Sequence, residues 1–89
     1  NKNEIYILDI READAFNEGH ITASKNIPSN DLIRRSNEIR NFDKAIVLVC
    51  EMGNISPNTG ENLKKEGFQN IMILNGGLNQ WRLDNLPLV

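Results

Sequence analysis

The segment Val47-Leu48-Val49-Cys50-Glu51-Met52-Gly53-Asn54-Ile55-Ser56-Pro57 organises everything around it. Ala45 to Val49 is a continuous, largely β-branched apolar run, the mark of a strand buried on both faces. It stops at a thiol. A short loop with a central glycine follows. Ser56 then reads as the N-cap and Pro57 as the first residue of a helix that runs to Glu66 and ends at Gly67. Working outward, Asn3 to Asp9 reads as a strand with Ile5-Tyr6-Ile7-Leu8 at its centre. Glu12 to Gly19 reads as a short helix with Ala13 and Phe16 on its apolar side and a left-handed stop at Gly19. Lys25 to Pro28 reads as a further strand. Leu32, Ile33, Ser36 and Ile39 recur at helical spacing and predict a helix over Ser29 to Arg40. Asn70 to Leu74 closes the set of strands and Leu78 to Leu83 the set of helices. Strands alternating with helices imply a parallel sheet covered on both sides. Ligands in such sheets bind beyond the carboxyl ends of the strands, where Cys50 is expected to emerge.

The cysteine loop has a chemical use in each of its parts. The backbone N–H groups of Glu51, Met52, Gly53, Asn54, Ile55 and Ser56 can curl around the sulfur as a nest. The following helix offers its unpaired N–H groups and the positive end of its dipole to the same point. Both favour thiolate over thiol. Gly53 permits the backbone geometry of a tight cradle. Against this stands the ordinary behaviour of an unpaired cysteine, which packs as a small hydrophobe in a core. Physical chemistry alone leaves both readings open.

Composition narrows the remaining classes. The chain has 89 residues, 39% of them apolar and 25% charged, enough for a single domain over residues 1–89 with a small core. A net charge of -2 without a basic stripe argues against nucleic acid as a partner. One cysteine and one histidine exclude an internal disulfide and cysteine/histidine zinc clusters, and no metal site is expected. No hydrophobic run approaches a membrane span, so contact with a membrane is expected only through an anchor upstream of Asn1. The free thiol suits a reducing cytoplasm, or the cytoplasmic face of a membrane if such an anchor exists. Gly76-Gly77 lacks the lysine and strand context of a phosphate loop.

The loop also resembles the active-site loop of the rhodanese family: cysteine, two variable residues, glycine, one variable residue, then arginine or serine and a small residue. Asp9-Ile10-Arg11 is similar to the aspartate-x-arginine that ends the family's early strand. Phe16-Asn17-Glu18-Gly19-His20-Ile21, Ala23-Ser24-Lys25-Asn26-Ile27-Pro28, Gly67-Phe68, Leu74-Asn75-Gly76-Gly77 and Trp81 follow in the family's order. The likeness is closest to single-domain bacterial members. It implies a three-layer α/β/α fold around a parallel sheet of four to five strands, without the additional N-terminal strand and helix of many members.

The resemblance implies sulfur transfer. Cys50 attacks a sulfane sulfur in thiosulfate or a persulfide, holds it as its own persulfide, and gives it to a thiol or cyanide. The amides of Glu51 to Ser56 would act as an anion hole, and no cofactor is required. The partner is a small sulfur donor or a persulfide-carrying protein. Most other motif residues read as structural. Asp9 and Arg11 are expected to pair locally, with a pocket charge from Arg11 as the alternative. His20 reads as a satisfied structural histidine and Trp81 as a packing residue. Two positions depart from active members: Ile55 stands where many have arginine or another polar group, and Glu51 stands where several have a basic residue or tyrosine. A carboxylate there would repel a dianionic donor and raise the thiol pKa, so weak thiosulfate use is expected, improved by arginine at that position.

Three other functions compete with sulfur transfer. A related cysteine-loop phosphatase needs an arginine to grip phosphate, but Ser56 stands in its place and no histidine stands directly before Cys50. A catalytically idle binding or regulatory module would use the fold as a scaffold. A redox sensor would lack a resolving cysteine within the chain.

Overall fold

A computed structural model describes residues 5–39 and 45–89. Among these residues, four strands, β1 (Ile5–Asp9), β2 (Lys25–Asn26), β3 (Ala45–Val49) and β4 (Ile71–Ile73), form one sheet in the order β2-β1-β3-β4. All three pairings are parallel, with Leu8 opposite Leu48 and Leu48 opposite Ile73. The helices are α1 (Ala13–Glu18), α2 (Ser56–Lys65) and α3 (Gly77–Leu83). Element ends fall within a few residues of those read from sequence; Asn3 and Glu4 lie outside the described residues.

Strand periodicity sorts the core into two layers. Leu8 and Ile10 share one face with Ile46, Leu48 and Cys50, packed with Ile27, Leu32, Ile39 and, from α2, Leu63. Val49 lies on the opposite face with Ile21 and, from α3, Leu78, against Ile7, Val47 and Trp81. Leu8, Leu48, Leu63 and Leu78 are fully buried, each contributing about 2 kcal/mol by removal of apolar surface from water. Cys50 continues the Ile46–Leu48 alternation, which points its side chain to the α2 side of the sheet.

Three local expectations are corrected. The helix over Ser29 to Arg40 is replaced by two short 3-10 turns, Ser29–Asp31 and Ser36–Glu38, with Arg40 outside the described residues. Leu32 and Ile39 still reach the core, but Ile33 stays 43% exposed. Serine and asparagine are frequent here, and their side chains compete with helical backbone bonding. Gly19 has φ 166, which is extended backbone and not a left-handed stop. The extended exit lets His20 and Val89 exchange both backbone hydrogen bonds, at 3.0 and 2.8 Å. Ser56 is the first residue of α2, and Ile55 occupies the cap position.

Candidate active site

Beyond the end of β3 the chain wraps around its own sulfur. The Gly53 N–H donates to Cys50 Sγ at 3.1 Å. Gly53 takes a positive φ of 81, the geometry for which a glycine was expected. Burial pushes the Cys50 thiol up, but the Ser56 hydroxyl and the backbone N–H groups of Ser56, Ile55 and Gly53 outweigh it, so its pKa lies below the ordinary thiol value. This accounts for the displaced cap. The first amides of α2 are turned to the sulfur, which takes the place of a capping side chain. Ser56 Oγ is fully buried without a hydrogen-bond partner among the described residues, and its hydroxyl lowers the Cys50 pKa. Of the six loop amides expected to serve the sulfur, that of Gly53 donates to it directly, and those of Ile55 and Ser56 also favour its anion.

The folded pKa lies below that of the unfolded thiol. The thiolate therefore contributes stability that is complete above the unfolded pKa and lost as pH falls through the folded one. Ultraviolet thiolate absorbance should show a titration midpoint below that of a free thiol, moved upward in Ser56→Ala. An unchanged midpoint in the variant would remove the hydroxyl from this account.

The expected emergence of Cys50 at the sheet edge needs correction. The backbone leaves the sheet there, but the residue is only 1% exposed and packs within the core cluster. The loop folds over the thiol because its amides bond to it. Met52 and Ile55, 55% and 51% exposed, form the apolar crest of that cover.

Asp9, Arg11 and Glu51 surround the loop's base. Arg11 is held by Asp9 through Nε at 3.0 and 3.1 Å and Nη2 at 2.8 Å, and by the Gly19 carbonyl at 2.7 Å. Its other nitrogen, Nη1, reaches Glu51 at 3.4 Å. Arg11 is thus locally paired, and its charge is largely matched before it meets the pocket. Glu51 also forms an ion pair with Arg82 of α3. Arg82 lowers the Glu51 pKa, against a smaller opposing effect of burial, with Arg11 adding to the lowering. The Glu51 carboxylate is engaged by two guanidinium groups, and the balance at Cys50 runs downward.

Sequence reading missed the partner that holds this loop from outside. The first N–H groups of α3 are spent on it: Leu78 donates to the Cys50 carbonyl at 3.0 Å and Asn79 to that of Glu51 at 2.8 Å. Gly76-Gly77, set aside as a phosphate loop, is where the two segments touch. Both glycines have positive φ, 78 and 58. The only sequence signal was the glycine pair just before an apolar helix. His20 is structural, with Nδ1 2.8 Å from the Phe16 carbonyl and its ring stacked on Phe16. Trp81 packs α3 onto the sheet and donates to the Pro87 carbonyl at 2.9 Å.

A parallel α/β sheet with a cysteine cradled by amides where a strand passes to a helix is the architecture of rhodanese-like domains. The rhodanese-like domain family model matches residues 1–84, and the chain belongs to that family. It is 39% identical over 75 residues to the uncharacterized protein YqhL of Bacillus subtilis, covering 84% of this chain and 59% of that protein. It is 32% identical over 81 residues to the thiosulfate sulfurtransferase GlpE of Shewanella oneidensis, covering 91% of this chain and 79% of the relative. A crystal structure of a rhodanese-related protein from Thermoplasma volcanium superposes with a TM-score of 0.84 at 34% identity, over 96% of this chain and 83% of that one. The chain thus spans less than two thirds of the length of YqhL. No helix among the described residues is long and apolar enough to cross a membrane.

Proposed function

We propose that this chain is a sulfurtransferase domain in which Cys50 carries sulfane sulfur as a persulfide. The Cys50 thiolate attacks the outer sulfur of thiosulfate or of a persulfide. A bond forms between Sγ and that sulfur, the donor's sulfur–sulfur bond breaks, and sulfite or a thiolate leaves. An acceptor thiolate or cyanide then takes the outer sulfur and restores the Cys50 thiolate, so the two halves balance without a cofactor. The carrying observation is the cradle itself: the Gly53 amide donates to Sγ at 3.1 Å, and the Ile55 and Ser56 amides and the Ser56 hydroxyl lower the thiol pKa alongside it. Donors placed to stabilise an anionic sulfur serve both the attacking thiolate and the persulfide that replaces it. The sulfurtransferase name of the Shewanella relative supports the same reaction class.

A second reading, an idle binding module, is favoured by one observation, the 1% exposure of Cys50. Intact-mass measurement separates the two. After incubation with thiosulfate or 2-hydroxyethyl persulfide, the wild type is expected to gain about 32 Da, one sulfur atom, released by a thiol or cyanide. Cys50→Ser is expected to gain nothing. A wild type that takes no sulfur from either donor would leave only the module.

A further inference from the structure

We propose that Arg82 is the donor-recognising cation of this site, and that the Glu51 carboxylate occupies it in the resting domain. The inference rests on the sulfur-transfer reading and deepens it. Arg82 sits in the last turn of α3, and the first turn of that helix is bonded to the carbonyls of Cys50 and Glu51. The helix is therefore keyed to the loop, and its guanidinium is carried on a fixed arm beside the residue that follows the thiol.

Among the described residues, Arg11 and Arg82 stand at the loop, and they are not equivalent. Arg11 is committed to Asp9, with side chains only 5% and 1% exposed, and to the Gly19 carbonyl. Freeing it would strand a buried charge. Arg82 and Glu51 are 45% and 46% exposed. Ion pairs in water are weak and yield to competing anions. Asp9 and Glu51 balance Arg11 and Arg82, so the resting loop offers no net positive charge to a dianion. A donor with an anionic group beyond its reacting sulfur must displace Glu51 to reach Arg82. A persulfide whose only charge is its own needs no such exchange and meets the apolar crest of Met52 and Ile55. Glu51 thus selects against sulfonate-bearing donors by standing in for them.

For thiosulfate, the thiolate and dianion give the Cys50 persulfide anion and sulfite dianion, with charge and atoms conserved. For the uncharged-chain persulfide, the products are the Cys50 persulfide and the donor's thiolate. The test compares second-order rates of Cys50 persulfidation by thiosulfate and by 2-hydroxyethyl persulfide. Glu51→Gln should accelerate the thiosulfate reaction about tenfold, most strongly at low salt, by removing one repelling charge and freeing one attracting charge. It should leave the 2-hydroxyethyl persulfide reaction within about twofold, since that donor makes no second ionic contact. Adding Arg82→Gln should abolish the thiosulfate gain, and adding Arg82→Lys in its place should retain part of it. A gain that survives Arg82→Gln, an equal gain with both donors, or no gain in Glu51→Gln would each overturn the inference while sulfur transfer stands. Failure of the wild type to take sulfur from either donor would remove both.

Discussion

Gly77→Ala is expected to lower stability by about 3 kcal/mol or more and to disable the cysteine loop, since a left-handed alanine and an overpacked contact each cost on the order of 1–3 kcal/mol. A methyl group at Gly77 would stand 2.5 Å from the Cys50 carbonyl oxygen, 2.6 Å from the Gly53 nitrogen and 2.7 Å from the Glu51 carbonyl oxygen, and φ there is 58. All three atoms belong to the backbone, so no side chain can turn aside. Nor can α3 retreat freely. Gly77 donates to the Leu74 carbonyl at 3.0 Å, and the next two amides hold the loop. The Gly53 amide that bonds the sulfur is one of the atoms struck, so the thiolate should lose support along with the fold. Thermal unfolding should fall by roughly 12 °C or more at about 4–8 °C per kcal/mol. The thiolate titration should move upward. Gly19→Ala is the control. Its methyl group meets Leu88 at an ordinary 3.6 Å on extended backbone, and little change is expected. Wild-type stability in Gly77→Ala would show that the loop and α3 are not in contact as described.

Asp9→Ala should cost about 3–5 kcal/mol, the usual consequence of leaving one member of a buried ion pair without the other. Asp9 accepts from the Arg11 backbone amide at 3.0 Å as well as from its side chain, and Arg11 itself is 8% exposed. Burial disfavours the Arg11 charge, but the Asp9 hydrogen bonds more than compensate and hold it fully protonated. Small domains have about 5–15 kcal/mol in total, so the variant should be close to unfolding at growth temperature. Urea denaturation gives the measurement. The double variant Asp9→Ala/Arg11→Met should recover a large part of the loss, because no charge is then left buried. A double variant as unstable as the sum of the singles would mean that the pair acts through separate contacts.

How far the sequence was legible depended on whether a feature is local. The β3 strand was readable to the residue, because an unbroken apolar run between turn residues has few alternatives. The 3-10 turns after Pro28 were not. Helical spacing was present, but serine and asparagine weakened the helix, and the core needed only Leu32 and Ile39. The cap of α2 was misplaced by one residue, because the sulfur itself takes the role that Ser56 was expected to fill.

By itself the sequence determined the order of strands and helices, the family they belong to, and a single thiol at the junction of a buried strand with a new helix. Backbone periodicity and turn chemistry act between near neighbours, so the chain states them openly. Only the tertiary structure decided that the thiol is covered, that Gly77 must lack a side chain, and that Glu51 is engaged by Arg82 from α3. Those facts join residues as far as 31 positions apart, brought together by packing against the sheet, and no local pattern encodes a contact of that kind.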